Sequence, residues 1–315
     1  MRKLIVILGT FLSVNLSLLA LQPCCRLPDW PPTWEFDIGT GYREDNLHWV
    51  VETPGGPPEI ASHVSWKKVR SWEVYGRAAY VSCMNYAVKV SGDYSWIYQG
   101  RNRDSDYFVG EDHKVLFSRS INDAGKGYTW DASGALGYKF TSTGGRCTIT
   151  PFIGFSNHEQ QFHIYNGNQV VNLVSDFLGR LSRSHNSSYH TRWYGPWGGF
   201  DFDVRVECCV NWFGSFEWHL AKYKASGRWN LRREFAGDFR HHADGRGWIA
   251  RTGVNWEFLG CWTIGFLAEY RQFRTQSGDD ITPLLTADGV IDVESKLRDV
   301  RWHCYRLIGT LTYRF

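Results

Sequence analysis

The sequence predicts an all-β protein: a ten-stranded antiparallel transmembrane β-barrel with short periplasmic turns and long extracellular loops. Three observations carry this. Ten segments alternate apolar and polar residues, and the spacers between them alternate in length. The chain also ends on a strand with Tyr305, Leu307, Gly309, Leu311, Tyr313 and Phe315 on one face, and mostly Arg and Thr on the other. An apolar face that opens and closes with rings suits the two water boundaries of a bilayer.

The first segment, 34–43, sets Trp34, Phe36, Ile38 and Tyr42 against Glu35, Asp37 and Arg43. The second, 70–81, opposes Trp72, Val74, Ala78 and Tyr80 to Glu73 and Arg77. In the third, Tyr86, Val88, Val90, Tyr94, Trp96 and Tyr98 share a face while Lys89, Ser91, Asp93 and Ser95 share the other. The fourth, 128–140, has the same form, and the fifth spans 147–164. The sixth, 197–212, turns Phe200, Phe202, Val204 and Val206 away from Asp201, Asp203, Arg205 and Glu207. The seventh begins at Phe216, the eighth carries Trp248, Val254 and Trp256, the ninth Trp262, Ile264 and Phe266, and the C-terminal strand is the tenth. This period of two is the signature of half-buried strands.

Short spacers fall at 82–85, 141–145, 213–215 and 259–260, and long ones at 44–63, 99–126, 165–195, 224–246 and 276–298. An up-and-down barrel needs this alternation, because its strands must close edge to edge in lipid. A secreted sandwich would bury its apolar faces in one core and need fewer rings at both strand ends. In the third long spacer, Val170, Leu173, Val174, Phe177, Leu178 and Leu181 recur at helical spacing, so a short amphipathic helix is expected within 168–183.

Residues 1–20 read as a secretory signal, with Arg2 and Lys3 before an apolar run and Ala20 at the cut; 21–33 then form a periplasmic segment and 34–315 the barrel. Cys24 follows Leu21-Gln22-Pro23, which lacks the small residues of a lipid-attachment site. The sequence predicts residence in the bacterial outer membrane, in contact with its lipid. Aromatics reach 16%, which fits interfacial girdles, and a net charge of +3 is too mild to argue for nucleic acid. Eight cysteines permit disulfides without fixing any pairing, and their spacing matches no zinc site; no cofactor is expected.

The inward faces carry Asp37, Asp93, Asp131, Glu217 and Glu269 against Arg77, Lys89, Arg251, Arg271 and Arg306, so opposite charges are expected to pair across the lumen. A barrel of this size is filled by side chains, which disfavours a wide diffusion pore. At the extracellular side, Asp104-Ser105-Asp106 follows the third strand. Two carboxylates two apart in extended chain face the same way, and like charges held close raise one pKa. Such a pair can share a proton and position a water.

Ten strands, this Asp-x-Asp in the second long loop, Ser65-Trp66-Lys67 and the Leu-Thr-Tyr-Arg-Phe ending together resemble the omptin family of outer-membrane endopeptidases. The resemblance implies a site at the extracellular rim where an aspartate pair faces an Asp-His pair and a water between them attacks a peptide. By that likeness Asp104 and Asp106 match the aspartate pair, and Glu44 matches the acidic group that attracts basic substrate side chains. The fourth loop departs from the family's Asp-x-His, reading Asp238-Phe239-Arg240-His241-His242-Ala243-Asp244. There Asp238 with His241, or Asp244 with His242, is the expected pairing. Arg232, Arg233, Arg240 and Arg246 make this loop basic, suited to lipopolysaccharide phosphates or to pairing with Asp104 and Asp106. The Trp- and Cys-rich composition is also similar to that of the Protochlamydia outer-membrane proteins, which implies an envelope or porin role. Two functions follow: a rim endopeptidase acting on a peptide substrate, or a non-catalytic barrel serving as small pore, surface-binding protein or envelope component.

Overall fold

The computed structural model describes residues 32–52, 60–108, 115–175 and 177–315. The expected signal segment lies outside them. The strands are β1 (Thr33–Glu52), β2 (Ile60–Val81), β3 (Tyr86–Phe108), β4 (Val115–Tyr138), β5 (Phe140–Thr141), β6 (Cys147–Asn172), β7 (Gly179–Arg180), β8 (Asn186–Glu207), β9 (Val210–Arg228), β10 (Phe239–Leu259), β11 (Trp262–Thr275), β12 (Gly278–Thr286) and β13 (Gly289–Arg314). Ten of them, β1, β2, β3, β4, β6, β8, β9, β10, β11 and β13, pair in sequence as antiparallel neighbours. The ring closes between β13 and β1, from Glu35↔Arg314 up to Val51↔Leu297. Closure removes both sheet edges, the condition for a sheet to stand in lipid.

The outer wall is apolar between two belts of rings. The periplasmic belt contains cross-strand pairs Trp34↔Tyr80, Tyr86↔Tyr138 and Trp262↔Tyr313. The extracellular belt contains Tyr94 stacked on Tyr128 at 5.6 Å, and Trp248, Tyr270 and Tyr305 in succession at 5.0 and 4.8 Å. Between them Ile38, Leu136 and Ile153 are 64, 61 and 73% exposed, a surface that only lipid tails would cover at no cost.

Most strands continue well past the upper belt. β6 and β13 run for 26 residues each, whereas a tilted strand crosses the bilayer in about 9–11. Long extracellular spacers are therefore largely paired sheet. The helix expected at 168–183 does not form: 168–172 finish β6, 173–175 bend, and Gly179–Arg180 pairs back on β6 as β7. The apolar residues at helical spacing are instead mostly exposed at the tip, Leu173, Val174, Phe177 and Leu178 among them.

Inside, the expected pairing of charges across the bore is present. Arg43 of β1 reaches Asp131 of β4 at 2.6 Å and Asp45 at 2.8 Å. Arg306 of β13 binds Glu73 of β2 at 2.6 Å, Asp93 of β3 at 2.9 Å and Glu269 of β11 at 2.9 Å. Arg271 pairs with Glu269 and Asp131, and Arg251 with Glu217 and Glu269. The side chains of Arg43, Arg271 and Arg306 are no more than 2% exposed, so these ions lie across the bore rather than along an open wall. Below them a cavity of about 280 Å³ ends on Asp93, Asp131, Arg271 and Arg306.

Above the ions lies an aromatic layer. Trp66 stacks on Tyr189 at 4.9 Å and on Phe162 at 5.5 Å, while Phe273 stacks on Trp302 at 5.0 Å. The Trp302 indole donates to Asp45 Oδ1 at 2.8 Å, which ties the two layers together.

Replacing Arg306 with Leu would leave Glu73, Asp93 and Glu269 buried without this partner, and breaking a buried pair from one side costs about 3–5 kcal/mol. We expect its urea unfolding midpoint to fall sharply. Arg240→Leu, which removes a half-exposed 3.6 Å contact to Asp292, should leave the midpoint in place.

Candidate functional site

Strict alternation along β3 would turn Asp104 and Asp106 outward with Tyr94, Trp96 and Tyr98. The structure does the opposite because β3 and its neighbour β2 both bulge at one height. The register slips between Lys67 and Ser71 on β2, opposite Ile97–Arg101 on β3. Lys68 adopts φ +51° there, and its N–H donates to Asn46 Oδ1 at 2.9 Å. A bulge inserts an unmatched residue and reverses which face the following side chains take. Above it Asn102 is buried, and Asp104 and Asp106 line an extracellular pocket of about 460 Å³.

The loop between β9 and β10 caps this pair. Trp229 Nε1 donates to Asp104 Oδ2 at 3.0 Å, and Arg232 binds Asp106 Oδ2 at 2.6 Å. Ser62 of β2 donates to Asp106 Oδ1 at 3.0 Å. Asp104 Oδ1 is shielded and makes no hydrogen bond within the protein. Burial, and then the charge of Asp106, push the Asp104 carboxyl up from 3.8 to about 7. Asn122 Oδ1 and His185 Nδ1 are likewise buried without partners on the same pocket, whose other side is apolar: Phe117, Val174, Phe177 and Leu181.

His241 points inward from β10 and is fully buried. Its Nδ1 lies 2.9 Å from the Tyr189 hydroxyl, which in turn meets the Tyr223 hydroxyl at 2.6 Å. Its Nε2 lies 3.1 Å from Asp280 Oδ1, within ion-pair distance but without hydrogen-bond alignment. The two residues are direct register partners between β10 and β12. Asp280 was not among the expected residues, because nothing in its spacing marks it; only the folding of the last loop into a hairpin delivers it.

Three expectations need correction. Asp238 does not orient His241: it pairs with Arg228 at 2.7 Å on the surface. His242 lies one residue on from the inward His241, so β10 carries it on the opposite face, and Asp244 lies 3.8 Å from Lys222 rather than beside it. Glu44 belongs to β1 itself and shares the outer wall with Trp34, Phe36 and Ile38, bound by Tyr42 at 2.7 Å and Arg70 at 3.1 Å. It does not face the pocket.

The aspartate pair and the His241–Asp280 pair thus occupy the same mouth, but no hydrogen bond or ion pair joins them among the described residues. Trp229 stands between: it holds Asp104, and its ring lies 6.3 Å from Tyr189 and 4.8 Å from Phe239, which packs 5.2 Å from His241.

A model of the Protochlamydia outer membrane protein family matches residues 37–315. The chain belongs to that family. As a family member it is an outer-membrane β-barrel protein, consistent with the two ring belts described above. The fold is similar to that of the outer membrane protease OmpT of Escherichia coli, with a TM-score of 0.76 at 11% identity over 90% of this chain and 97% of that one. At that identity the likeness concerns the fold alone. The Ralstonia pickettii toluene transporter TbuX matches with a TM-score of 0.37 at 8% identity, covering 94% of this chain and 93% of that one. The translocator domain of the autotransporter NalP from Neisseria meningitidis gives 0.36 at 9%, covering 98% and 95%. Scores that low carry no argument for this Protochlamydia-type barrel. No curated protein matches its sequence significantly.

The Asp104 shift sets a pH dependence with a definite sign. A carboxyl whose folded pKa is raised binds more protons folded than unfolded, so it opposes folding progressively as pH climbs between about 4 and 7. Hydrogen exchange at the rim should therefore quicken from pH 4.5 to 7.5, relative to the chemical rate. Asp104→Asn should abolish that component.

Proposed function

We propose that this barrel is a non-catalytic surface protein of the outer membrane, which holds a ligand in its rim pocket without hydrolysing it and does not act as a wide diffusion pore. The observation that carries the reading is the Arg232–Asp106 ion pair at 2.6 Å beside the Trp229–Asp104 hydrogen bond at 3.0 Å. Two carboxylates that position a water need free lone pairs directed at it, and here a cation and an indole occupy one oxygen of each. The remaining acceptors, Asp104 Oδ1, Asn122 Oδ1 and His185 Nδ1, favour a ligand that brings hydrogen-bond donors. The apolar wall of Phe117, Phe177 and Leu181 favours one with an apolar body. A peptide with a basic or amine-bearing side chain has that chemistry. Ions laid across the bore argue against wide diffusion.

A second reading is favoured by the His241–Asp280 contact at 3.1 Å and its tyrosine support. In it, as in an omptin, Asp104 and Asp106 position a water and His241 takes its proton, which requires the 229–238 loop to swing away.

The barrel refolded in bilayers with lipopolysaccharide separates these. Given a fluorogenic peptide with paired basic residues, it should show a saturable change in tryptophan fluorescence that Trp229→Phe diminishes, and no cleavage above the level of Asp104→Ala. Cleavage abolished by Asp104→Ala would support the hydrolase instead, and stepwise conductance of large unit size would support a pore.

A further inference from the structure

The last hairpin continues beyond the closed ring, and its two edges differ. β13 pairs with β1 only as far as Leu297, opposite Val51, yet it extends to Gly289 against β12. The β12–β13 ladder holds nine register pairs, from Gly278↔Leu297 to Thr286↔Gly289, without a bulge. The outer edge of β12 is sealed. Arg240, His241 and His242 of β10 pair with Ile281, Asp280 and Asp279. Farther out, Ala236 N donates to Pro283 O at 2.9 Å and Leu285 N to Glu234 O at 2.8 Å.

The outer edge of β13 from Gly289 to Lys296 has no strand beside it among the described residues. In an antiparallel pair every other residue turns both its N–H and its C=O away from the partner, so this stretch presents unpaired backbone groups. The link from Glu52 to its register partner Ile60 contains Pro54, Pro57 and Pro58, which have no N–H to offer a neighbour. Exposed edges are commonly blunted by Lys, Pro or a bulge. Gly289–Ser295 contains none of these. Ser295 lies ten residues beyond Tyr305 of the ring belt, roughly 30 Å of strand, so the edge stands in water rather than lipid.

The two faces along this edge have different chemistry. Ile291, Val293 and Ser295 share a face with buried Leu297, while Val290, Asp292 and Glu294 share the other. Asp292 meets Arg240 at 3.6 Å with both side chains about half-exposed, and Glu294 has no ion pair among the described residues. We propose that the β13 edge is a strand-addition site for an extended peptide segment, one with Lys or Arg on the side of Asp292 and Glu294 and apolar residues on the side of Ile291 and Val293. Main-chain hydrogen bonds supply the binding, and the alternating faces supply the selectivity. A second copy in the same membrane does not fit. Strands of such barrels tilt by about 35–45°, so two β13 edges related about the membrane normal would cross instead of lying alongside. The site is separate from the rim pocket, which no residue of 289–296 lines.

The test uses the full chain refolded in bilayers and a fluorescent acetyl-Lys-Val-Lys-Val-Lys-Val-amide peptide. Two further versions carry N-methyl groups, one on every valine and the other on every lysine. A strand that adds through one edge tolerates methyls on its far side and not on its near side. One version should therefore bind like the parent, and the other should lose roughly tenfold or more in affinity with its main-chain hydrogen bonds. The Asp292→Asn, Glu294→Gln variant should bind the parent peptide roughly threefold or more weakly. Bound peptide should slow amide exchange in 289–296. Equal affinity of the two methylated versions would reduce the contact to charge attraction and overturn the proposal. Absence of saturable binding, or slowed exchange confined to 101–106 at the rim pocket, would overturn it as well.

Discussion

A strand in lipid has no water to satisfy its backbone, so each N–H and C=O must find a partner on a neighbouring strand, and the sheet must close. Here closure falls between β1 and β13, and everything else follows from it. A closed ring has only an inside and an outside, and side chains alternate between them until something breaks the period. Ten strands leave a bore narrow enough for Arg271 to reach Asp131 on the opposite wall, and for Arg43 and Arg306 to reach carboxylates three strands away. The charges are costly to bury singly and tolerable as a network, because each guanidinium meets several carboxylates.

The same alternation explains how the mouth is built. Below the bulges, β3 puts Lys89, Asp93 and Ser95 inside and Val90 outside; above them it puts Asn102, Asp104 and Asp106 inside. One slip in register converts what would be an outward carboxylate pair into the wall of a pocket. β10 has no such slip, so its inward odd positions continue from Ile249 through His241. The pocket therefore joins a strand that has changed face to one that has not. The loop carrying Trp229 and Arg232 fills the gap between them.

Much of this was legible in the residues. The ten alternating segments, the ring belts and the pairing of lumen charges follow from a period of two and from electrostatics alone. The heights of the strands did not follow. Above the lipid both faces meet water or protein, the apolar signal fades, and segments such as 99–108 or 276–298 look like loops although they are paired sheet. The 168–183 stretch misled for a related reason, since spacing of three and four is also produced by apolar residues clustered at a strand tip. At the site, extending the outward parity of Trp248 and Val254 into the fourth loop would have chosen His241 over His242. Neither the bulge at Lys68 nor the pairing of His241 with Asp280 leaves a mark in the sequence, because both depend on register between strands distant in the chain.

The most direct measurement is the accessibility of spin labels placed on adjacent residues of β3 above the ring belt, in a cysteine-free barrel in bilayers. A label at Arg103, which is exposed, should collide readily with a water-soluble relaxation agent, and one at Asn102, which is buried, should be immobile and shielded from it. If the label at Asn102 met the agent freely and the one at Arg103 did not, the strand would keep one face throughout, and the rim pocket would not exist as described.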